Sequence, residues 1–229
     1  MTIHRGFEMV TFDCYGTLVD WREGIGGAFV RAARGDGVTL DRDEVLRVYA
    51  TVEPVVQAER YRPYRDVLGM AAQRTASEVG WPIDANRAAF LADSLADWRP
   101  FPDVNPALAA LRQRGHRLGI LSNVDDDLLR ETVKRFSVPF DLIVTAEQVR
   151  AYKPAHAHFL AAREHIADTP WLHAAQSYFH DIVPARELDI PVVWVNRLGA
   201  HPAGDARPDG EVADVAGLVE WLGNDRSEV

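Results

Sequence analysis

From residue 99 onward, short apolar segments alternate with segments of helical character, and this alternation constrains the fold more than any other feature. Strands are predicted at 117–121, 140–145, 174–179 and 191–195, and helices at 106–114, 126–136, 155–166, 183–188 and 215–222. A further apolar, β-prone segment at 8–13 precedes all of them. Short apolar strands separated by helices predict a parallel sheet that is covered by helices on both faces.

The chain between residues 21 and 98 shows helical patterns only. Helices are predicted at 22–34, 41–60, 64–79 and 84–98, with Pro54 expected to kink or split the second of them. The sequence therefore predicts an all-helical insert at 21–98, within an α/β domain formed by residues 1–20 and 99–229. Residues 199–210 are expected to form a surface loop, and residues 225–229 a frayed tail.

Charge and composition narrow the class of partner. The 229-residue chain has a net charge of −9, which argues against nucleic acid, because binding phosphates needs clustered lysine and arginine. Cys14 is the single cysteine, so an internal disulfide cannot form, and this fits a reducing compartment. The first ten residues do not resemble a signal peptide, and no apolar run approaches the roughly 20 residues that span a bilayer. We expect a cytoplasmic protein that binds no membrane and acts on a small molecule.

Polar residues that can carry chemistry follow four of the predicted strands. They are Asp13 with Tyr15 and Thr17, then Ser122 with Asn123, then Lys153, and last His180 with Asp181. In open parallel sheets, ligands bind outside the carboxyl ends of the strands, so these groups are expected to meet at one edge.

Together these residue types can support nucleophilic hydrolysis. A carboxylate such as Asp13 can attack carbon or phosphorus, and Lys153 would stabilise it as an anion. Ser122 and Asn123 can donate hydrogen bonds to substrate oxygens, while Asp181 could orient a water molecule or help to hold a cation. Each residue alone has a plainer role, because aspartate and serine often cap turns and helices and lysine is usually solvated. Their occurrence in order at successive strand ends favours the functional interpretation.

Four segments of the chain resemble the motifs of the haloacid dehalogenase superfamily. They are FDCYGTLVDW, LGILSN, AYKP and FHDIVPARELDIPVVWVNR, in that order. The resemblance implies that Asp13 is the nucleophile, that Thr17, Ser122, Asn123, Lys153 and Asp181 surround it, and that the insert is a cap domain. The fold class we expect is therefore α/β, a Rossmann-like parallel-sheet core with an inserted all-helical cap.

Tyr15 favours one branch of this superfamily over another. Phosphatases of the superfamily carry a second aspartate, a general acid, two residues after the nucleophile, whereas L-2-haloacid dehalogenases carry a tyrosine there. A departing halide needs no proton, whereas an alkoxide does. The leading hypothesis is thus a 2-haloacid dehalogenase-like hydrolase that acts on a small anionic substrate through an aspartyl ester, with no metal and no cofactor.

Two alternatives remain open from the sequence. One is a Mg²⁺-dependent phosphatase, with Asp13, the backbone carbonyl of Tyr15 and Asp181 around the ion. The other is an inactive homologue that binds a ligand or a partner. Relatives with such a cap are commonly dimers, so a homodimer is a candidate, although no residue pattern demands one.

The match to the dehalogenases is incomplete in the cap. Those enzymes carry an arginine there for the leaving halide, and this chain offers Arg47 and Arg60 with Glu53 between them. Arg62 is a candidate for holding a substrate carboxylate, or else it packs between two helices. Ser177 and His180 are further candidates for substrate contacts, and His180 could relay a proton or be structural.

Overall fold

The computed structural model describes residues 6–223, and its first element is a buried strand, β1 (Met9–Phe12). All four residues are inaccessible to solvent, as expected for a central strand of a parallel sheet that is covered on both faces. The tail predicted at 225–229 lies outside the described residues.

Helices alone follow β1 until residue 103, and they form the inserted cap. They are α1 (Trp21–Gly35), α2 (Arg42–Glu59), α3 (Tyr64–Glu78), α4 (Ala85–Ala88) and α5 (Phe90–Ser94), followed by a 3₁₀ turn, Leu95–Asp97. The carboxylates of Asp20 and Asp41 accept backbone N–H groups in the first turns of α1 and α2, which is why those helices begin there. We propose that the cap spans residues 21–98 and that residues 1–20 and 99–229 form the core.

The second part of the chain completes the sheet and covers it with helices. Its elements are α6 (Val104–Gln113), β2 (Arg117–Ser122), α7 (Asp126–Val133), β3 (Leu142–Thr145), α8 (Ala146–Val149), α9 (Ala157–Ile166), β4 (Trp171–Ala175), α10 (Val183–Glu187), β5 (Val192–Val195), β6 (Gly210–Val212) and α11 (Val215–Gly223). The six strands are parallel, in the order β3-β2-β1-β4-β5-β6. The prediction of a Rossmann-like α/β core with a helical cap is confirmed.

The chain runs outward from β1 in both directions, so the strand order reverses beside β1. In sheets of this kind the crevice at such a reversal binds ligands. The carboxyl ends of β1, β2 and β4 meet there because these three strands are adjacent.

The fourth core strand was predicted wrongly at 174–179, because it ends at Ala175. Ser177 breaks the strand, since its hydroxyl accepts the backbone N–H of His180 and begins a π-helical turn, Tyr178–Ile182. This turn leads directly into α10 and places Asp181 inside a helical segment. The fourth site segment is therefore held by a capped turn, and not by strand pairing.

Three further predictions differ from the structure. The helix predicted at 84–98 is broken, because the N–H of Ala89 bonds back three residues to Asn86 and tightens the turn. Pro54 does not split α2, which is continuous and whose apolar face packs on α3. The strand β6 was missed at the end of the predicted loop, since its three residues show no apolar alternation.

Asp125 of the core joins the two parts of the molecule. Its two carboxylate oxygens accept the backbone N–H groups of Tyr64 and Arg65, at 2.7 and 2.8 Å, in the first turn of α3. Pro63 precedes that helix and offers no side-chain cap, so a core residue caps a cap helix. The Tyr152 hydroxyl reinforces this seam by donating to the carbonyl of Arg62 at 2.7 Å.

Candidate active site

Three charged side chains meet where β1, β2 and β4 end. Lys153 Nζ lies 2.9 Å from Asp13 Oδ1 and 2.5 Å from Asp181 Oδ1. A third hydrogen bond, of 2.8 Å, runs from Lys153 Nζ to the carbonyl of Leu121 at the end of β2. All three protons of the ammonium group are therefore used inside the protein.

The backbone around Lys153 is fixed by Asn123. The Asn123 Oδ1 accepts the N–H of Lys153 at 2.7 Å, and its Nδ2 donates to the Lys153 carbonyl at 3.1 Å. This paired contact ties the loop after α8 to the end of β2. Asn123 thus positions the lysine, besides lining the cavity described below.

Thr17 holds the second oxygen of Asp13. Its hydroxyl donates to Asp13 Oδ2 at 2.9 Å and accepts the backbone N–H of Gln176 at 2.8 Å. The turn that brings Thr17 back to Asp13 passes through Gly16, whose φ of 102° is rarely adopted by residues with a Cβ. Both oxygens of Asp13 are thereby oriented before any substrate arrives.

A buried chain of hydrogen bonds approaches Asp181 from the sheet. Trp171 Nε1 donates to Thr11 Oγ1 at 2.7 Å, and that hydroxyl lies 2.9 Å from His173 Nδ1. His173 Nε2 lies 3.1 Å from Asp181 Oδ1. The ionised carboxylate of Asp181 can only accept hydrogen bonds, so His173 Nε2 is the donor in this contact.

The protein environment pushes the pKa values of the two carboxyl groups apart. Burial opposes ionisation of Asp181, but Lys153 and the His173 hydrogen bond outweigh it and lower its pKa to about 2. Burial raises the pKa of Asp13, and the negative charge of Asp181 adds to this effect. Burial also disfavours charged Lys153, yet the two carboxylates raise its pKa, so it stays an ammonium. Asp13 is the more basic carboxylate and hence the better nucleophile.

A cavity of about 280 Å³ lies over this triad, between the core and the cap. Core side chains form its floor: Asp13, Tyr15, Ser122, Asn123, Lys153, Gln176, Ser177, His180 and Asp181. Cap side chains form its roof: Trp21, Ile25, Tyr49, Ala50, Glu53, Pro54, Gln57, Tyr64 and Trp98. A larger cleft of about 540 Å³ lies near Asp20 and Arg99, where the chain passes between the core and the cap, and none of the triad lines it.

The structure thus brings most of the predicted site residues to one cavity. Asp13, Lys153 and Asp181 are in contact, and Tyr15, Ser122, Asn123, Ser177 and His180 line the same space. Thr17 lies behind Asp13 and contacts it without lining the cavity. Burial lowers the pKa of His180, whose Nδ1 lies 3.0 Å from the Ser177 hydroxyl.

Arg62 is the exception, and its predicted role in holding a substrate carboxylate is not supported. Its guanidinium donates to Glu59 at 3.0 Å and contacts the sulfur of Met70, so it packs between two cap helices. Arg47 is exposed beside Glu44, and Arg60 is also exposed. None of these three arginines lines the cavity.

Several lining residues had no signal in the sequence. Glu53 looks like any charged residue on a helix, and Tyr49 and Tyr64 look like core residues. Only the packing of α2 against α3 brings them over the nucleophile. The buried contact between Thr11 and His173 could not be predicted either. The two residues lie far apart in the sequence, and only the register of β1 against β4 brings them together.

The fit of a divalent cation can be judged from the donors. Among residues 6–223, no group of three or more His, Cys, Asp or Glu side chains is arranged to hold a metal ion. The Lys153 ammonium binds one oxygen of each carboxylate that a phosphatase-type Mg²⁺ would need, and Asp181 Oδ2 is buried without a hydrogen-bond partner. Asp13, Asp181 and the backbone carbonyl of Tyr15 would hold such an ion, beside the ammonium group.

Comparison with known proteins places the chain in a family. The family model of the haloacid dehalogenase-like hydrolases matches residues 7–170. The chain belongs to this family. The match covers Asp13 and Lys153 but ends before Asp181.

Individual relatives of this haloacid dehalogenase-like hydrolase include both branches of the superfamily. An (S)-2-haloacid dehalogenase of Pseudomonas sp. (strain YL) is 28% identical over 92% of this chain and 92% of its own. A phosphoglycolate phosphatase of Rhodospirillum rubrum is 27% identical over 94% of this chain and 91% of its own. The crystal structure of an L-2-haloacid dehalogenase superposes with a TM-score of 0.83 at 25% identity, covering 95% of this chain and 99% of that one.

These findings confirm the predicted family and the prediction that the protein is a hydrolase. No helix within residues 6–223 has both the length and the apolar character needed to cross a membrane. The expected lack of a cofactor, the homodimer and the cytoplasmic location stay predictions.

Proposed function

We propose that this haloacid dehalogenase-like hydrolase cleaves a carbon–halogen bond, or a similar bond from carbon to a leaving group, through an ester on Asp13. The observation that carries this proposal is the state of Tyr15. Its hydroxyl is paired with Thr132 Oγ1 at 2.9 Å, and burial raises its pKa well above the usual value. Tyr15 therefore cannot donate a proton to a departing oxygen, which favours a leaving group that departs as an anion.

In the first step, Asp13 attacks the substrate carbon. A carboxylate oxygen of Asp13 forms a bond to that carbon, and the carbon–halogen bond breaks with its electron pair leaving on the halide. Lys153 and Thr17 hold Asp13 ionised and oriented. The cap side chains cover one side of the cavity and so reduce its contact with bulk water, which suits an attack on carbon.

In the second step, water hydrolyses the ester. Its oxygen attacks the carbonyl carbon of Asp13, the bond to Asp13 breaks on the carbonyl side, and an alcohol and a proton are released. Asp181, with a pKa of about 2, is too weak a base to take that proton, so we assign it the orientation of water. The neutral ring of His180, which lines the same cavity, is the better proton acceptor.

The named relatives support a 2-haloacid as the first compound to test. The size of the cavity supports a small substrate. The phosphatase alternative has less support, because Tyr15 stands at the position where phosphatases of the family carry their general acid.

The test combines a substrate panel with isotope labelling. Purified protein is incubated with haloacids, haloamides and phosphate esters, with and without EDTA, while halide and phosphate release are measured. We expect halide release that EDTA does not affect. In a single turnover in heavy-oxygen water, the label should appear first in Asp13, and label found only in the product would contradict the ester.

Matched variants complete the test. Asp13→Asn should abolish halide release and keep the melting temperature, whereas Asp205→Asn, in an exposed loop, should leave both unchanged. Phosphate release that EDTA abolishes would establish the phosphatase instead. A protein that turns over none of these compounds, and whose Asp13→Asn variant binds ligands like the wild type, would support the inactive homologue.

A further inference from the structure

The roof of the cavity carries a single charge, and that charge is negative. Among the described cap residues that line the cavity, Glu53 on α2 is the one with an ionisable carboxyl group, and none is lysine or arginine. Asp13, Lys153 and Asp181 lie on the floor opposite. With Glu53 ionised, the lining carries three carboxylates against one ammonium group.

The surroundings of Glu53 provide no cation. Gln57 Nε2 donates to Glu53 Oε1 at 3.1 Å. Burial raises the pKa of Glu53 to about 7, although the nearby Tyr64 hydroxyl acts to lower it. Glu53 therefore titrates near neutral pH, and no described residue of the cavity lining forms an ion pair with it.

Other titratable groups near Glu53 do not change charge at neutral pH. Burial raises the pKa values of Tyr49, Tyr64 and Tyr152, so these phenols stay neutral. Burial lowers the pKa of His180 across the cavity. The charge of the roof is therefore controlled by Glu53 alone among the described lining groups.

The positive charge on the floor is already committed. Each proton of the Lys153 ammonium is bonded within the protein, to Asp13, Asp181 and a backbone carbonyl, and the side chain is 1% exposed. No donor of Lys153 is left for a substrate carboxylate. An anionic substrate would thus face Glu53 without a cation to hold it.

Five aromatic side chains also line the cavity. They are Tyr15, Trp21, Tyr49, Tyr64 and Trp98. The faces of these rings are electron-rich, so they favour neutral or cationic groups over a carboxylate. The aromatic rings and the negative charge of Glu53 therefore both favour a neutral or cationic ligand.

We propose that Glu53 determines substrate specificity by accepting a hydrogen bond from an N–H group at the end of the substrate remote from Asp13, so that the substrate is an amide or an amine and not a free carboxylate. The inference rests on the proposed function for the attack by Asp13 on carbon. It adds the chemical class of the other end of the substrate.

The experiment compares two compounds that differ only at that end. 2-Chloropropionamide and 2-chloropropionate are offered to the wild type, and halide release gives kcat/KM for each. We expect the amide to be preferred by about tenfold or more, the size of a repulsion between two partly buried charges. The kcat/KM for the acid should also fall as the pH rises through about 7, the pKa of Glu53, while that for the amide should not.

Two variants separate a local from a general charge effect. Glu53→Gln keeps the shape, and it should remove the preference and the pH dependence for the acid by raising its kcat/KM. Glu44→Gln removes a charge from the exposed face of the same helix and should change neither. An unaltered preference in Glu53→Gln, at an unaltered melting temperature, would overturn the proposal.

A binding measurement keeps the test independent of turnover. Propionamide, propylamine and propionate are titrated against the tryptophan fluorescence, since Trp21 and Trp98 line the cavity. We expect the amide or the amine to bind more tightly than the acid, and the two arms show whether the group is neutral or cationic. Tighter binding of propionate to the wild type than to Glu53→Gln would overturn the proposal, even if no compound were turned over.

Discussion

Lys153 determines the charge balance of the site, because its ammonium lies between two buried carboxylates. Lys153→Met should abolish halide release and lower the free energy of unfolding by about 3–5 kcal/mol, since Asp13 and Asp181 would be left uncompensated. Chemical denaturation and a halide assay measure the two effects.

The matched control is Lys134→Met. Lys134, the residue that follows α7, is exposed and pairs with Glu131 on that helix. Its loss should therefore cost less than about 1 kcal/mol of stability. A Lys153→Met protein as stable as this control would mean that the two carboxylates are not ionised together.

The pH dependence of the reaction should follow Asp13. Only the ionised carboxylate attacks, so activity is lost as the pH falls through its pKa, which lies above the ordinary value of 3.8. The Thr17 hydrogen bond favours the anion, so Thr17→Val should raise this pKa further. The acid limb of kcat/KM should then move to higher pH. Thr51→Val, on the exposed face of α2, should leave the limb in place.

The charged residues of the floor could be predicted because each follows a strand end. The parallel pairing brings the strand ends together, and the loop held by Asn123 and the turn begun by Ser177 then bring Lys153 and Asp181 to Asp13. Glu53 could not be predicted as a site residue, since its position over the nucleophile depends on how α2 packs against the rest of the molecule. The two roles considered for Arg62 could not be separated for the same reason, since a position near the middle of the insert does not tell which way a side chain packs.

At the scale of elements, the contact from Asp125 to α3 should matter for both stability and binding. Asp125→Ala should lower the free energy of unfolding by about 0.5–2 kcal/mol, the usual effect of losing a helix cap. It should also raise KM, since Tyr64 lies in the turn that loses its cap and lines the cavity. Denaturation and steady-state kinetics measure these two changes.

Asp84→Ala is the matched control for that prediction. Asp84 caps α4 through the N–H of Arg87, within the cap and away from the cavity. It should lower stability by a similar amount without changing KM. An equal rise in KM in both variants would show that general loosening of the cap, and not the seam, is responsible.

A second element-scale prediction concerns the packing of α1. A Cβ at Gly24 would collide with the ring of Trp98, which lines the cavity. Gly24→Ala should therefore cost about 1–3 kcal/mol and lower kcat/KM. Gly69→Ala, in α3 with no atom near its Cβ position, should instead stabilise the protein by about 0.5–1 kcal/mol. Thermal and chemical denaturation of the pair would measure the difference.

The elements that were predicted well, such as α1, α2 and β2, have long amphipathic or apolar sequences. The failures lie where a local hydrogen bond overrides the pattern. Ser177 turns an apolar, strand-like segment into a helical one, and the tightened turn at Ala89 breaks a helix. Neither event changes the periodicity that a sequence shows.

For the whole molecule, the acidic composition should dominate long-range interactions. With a net charge of −9, we expect no binding to duplex DNA even at low salt, where such binding is strongest. Filter binding with a labelled duplex measures this. Retention that declines steeply with added salt would contradict it and point to a local basic surface.

The contact of Asp125 with α3 also bears on how fast the enzyme can work. Opening the cap would break both hydrogen bonds from the backbone of α3 to Asp125. The open form would therefore have a higher free energy than the closed form. If ligands exchange through the open form, this cost would slow release of the product, and weakening the contact of Asp125 with α3 would speed a turnover that product release limits.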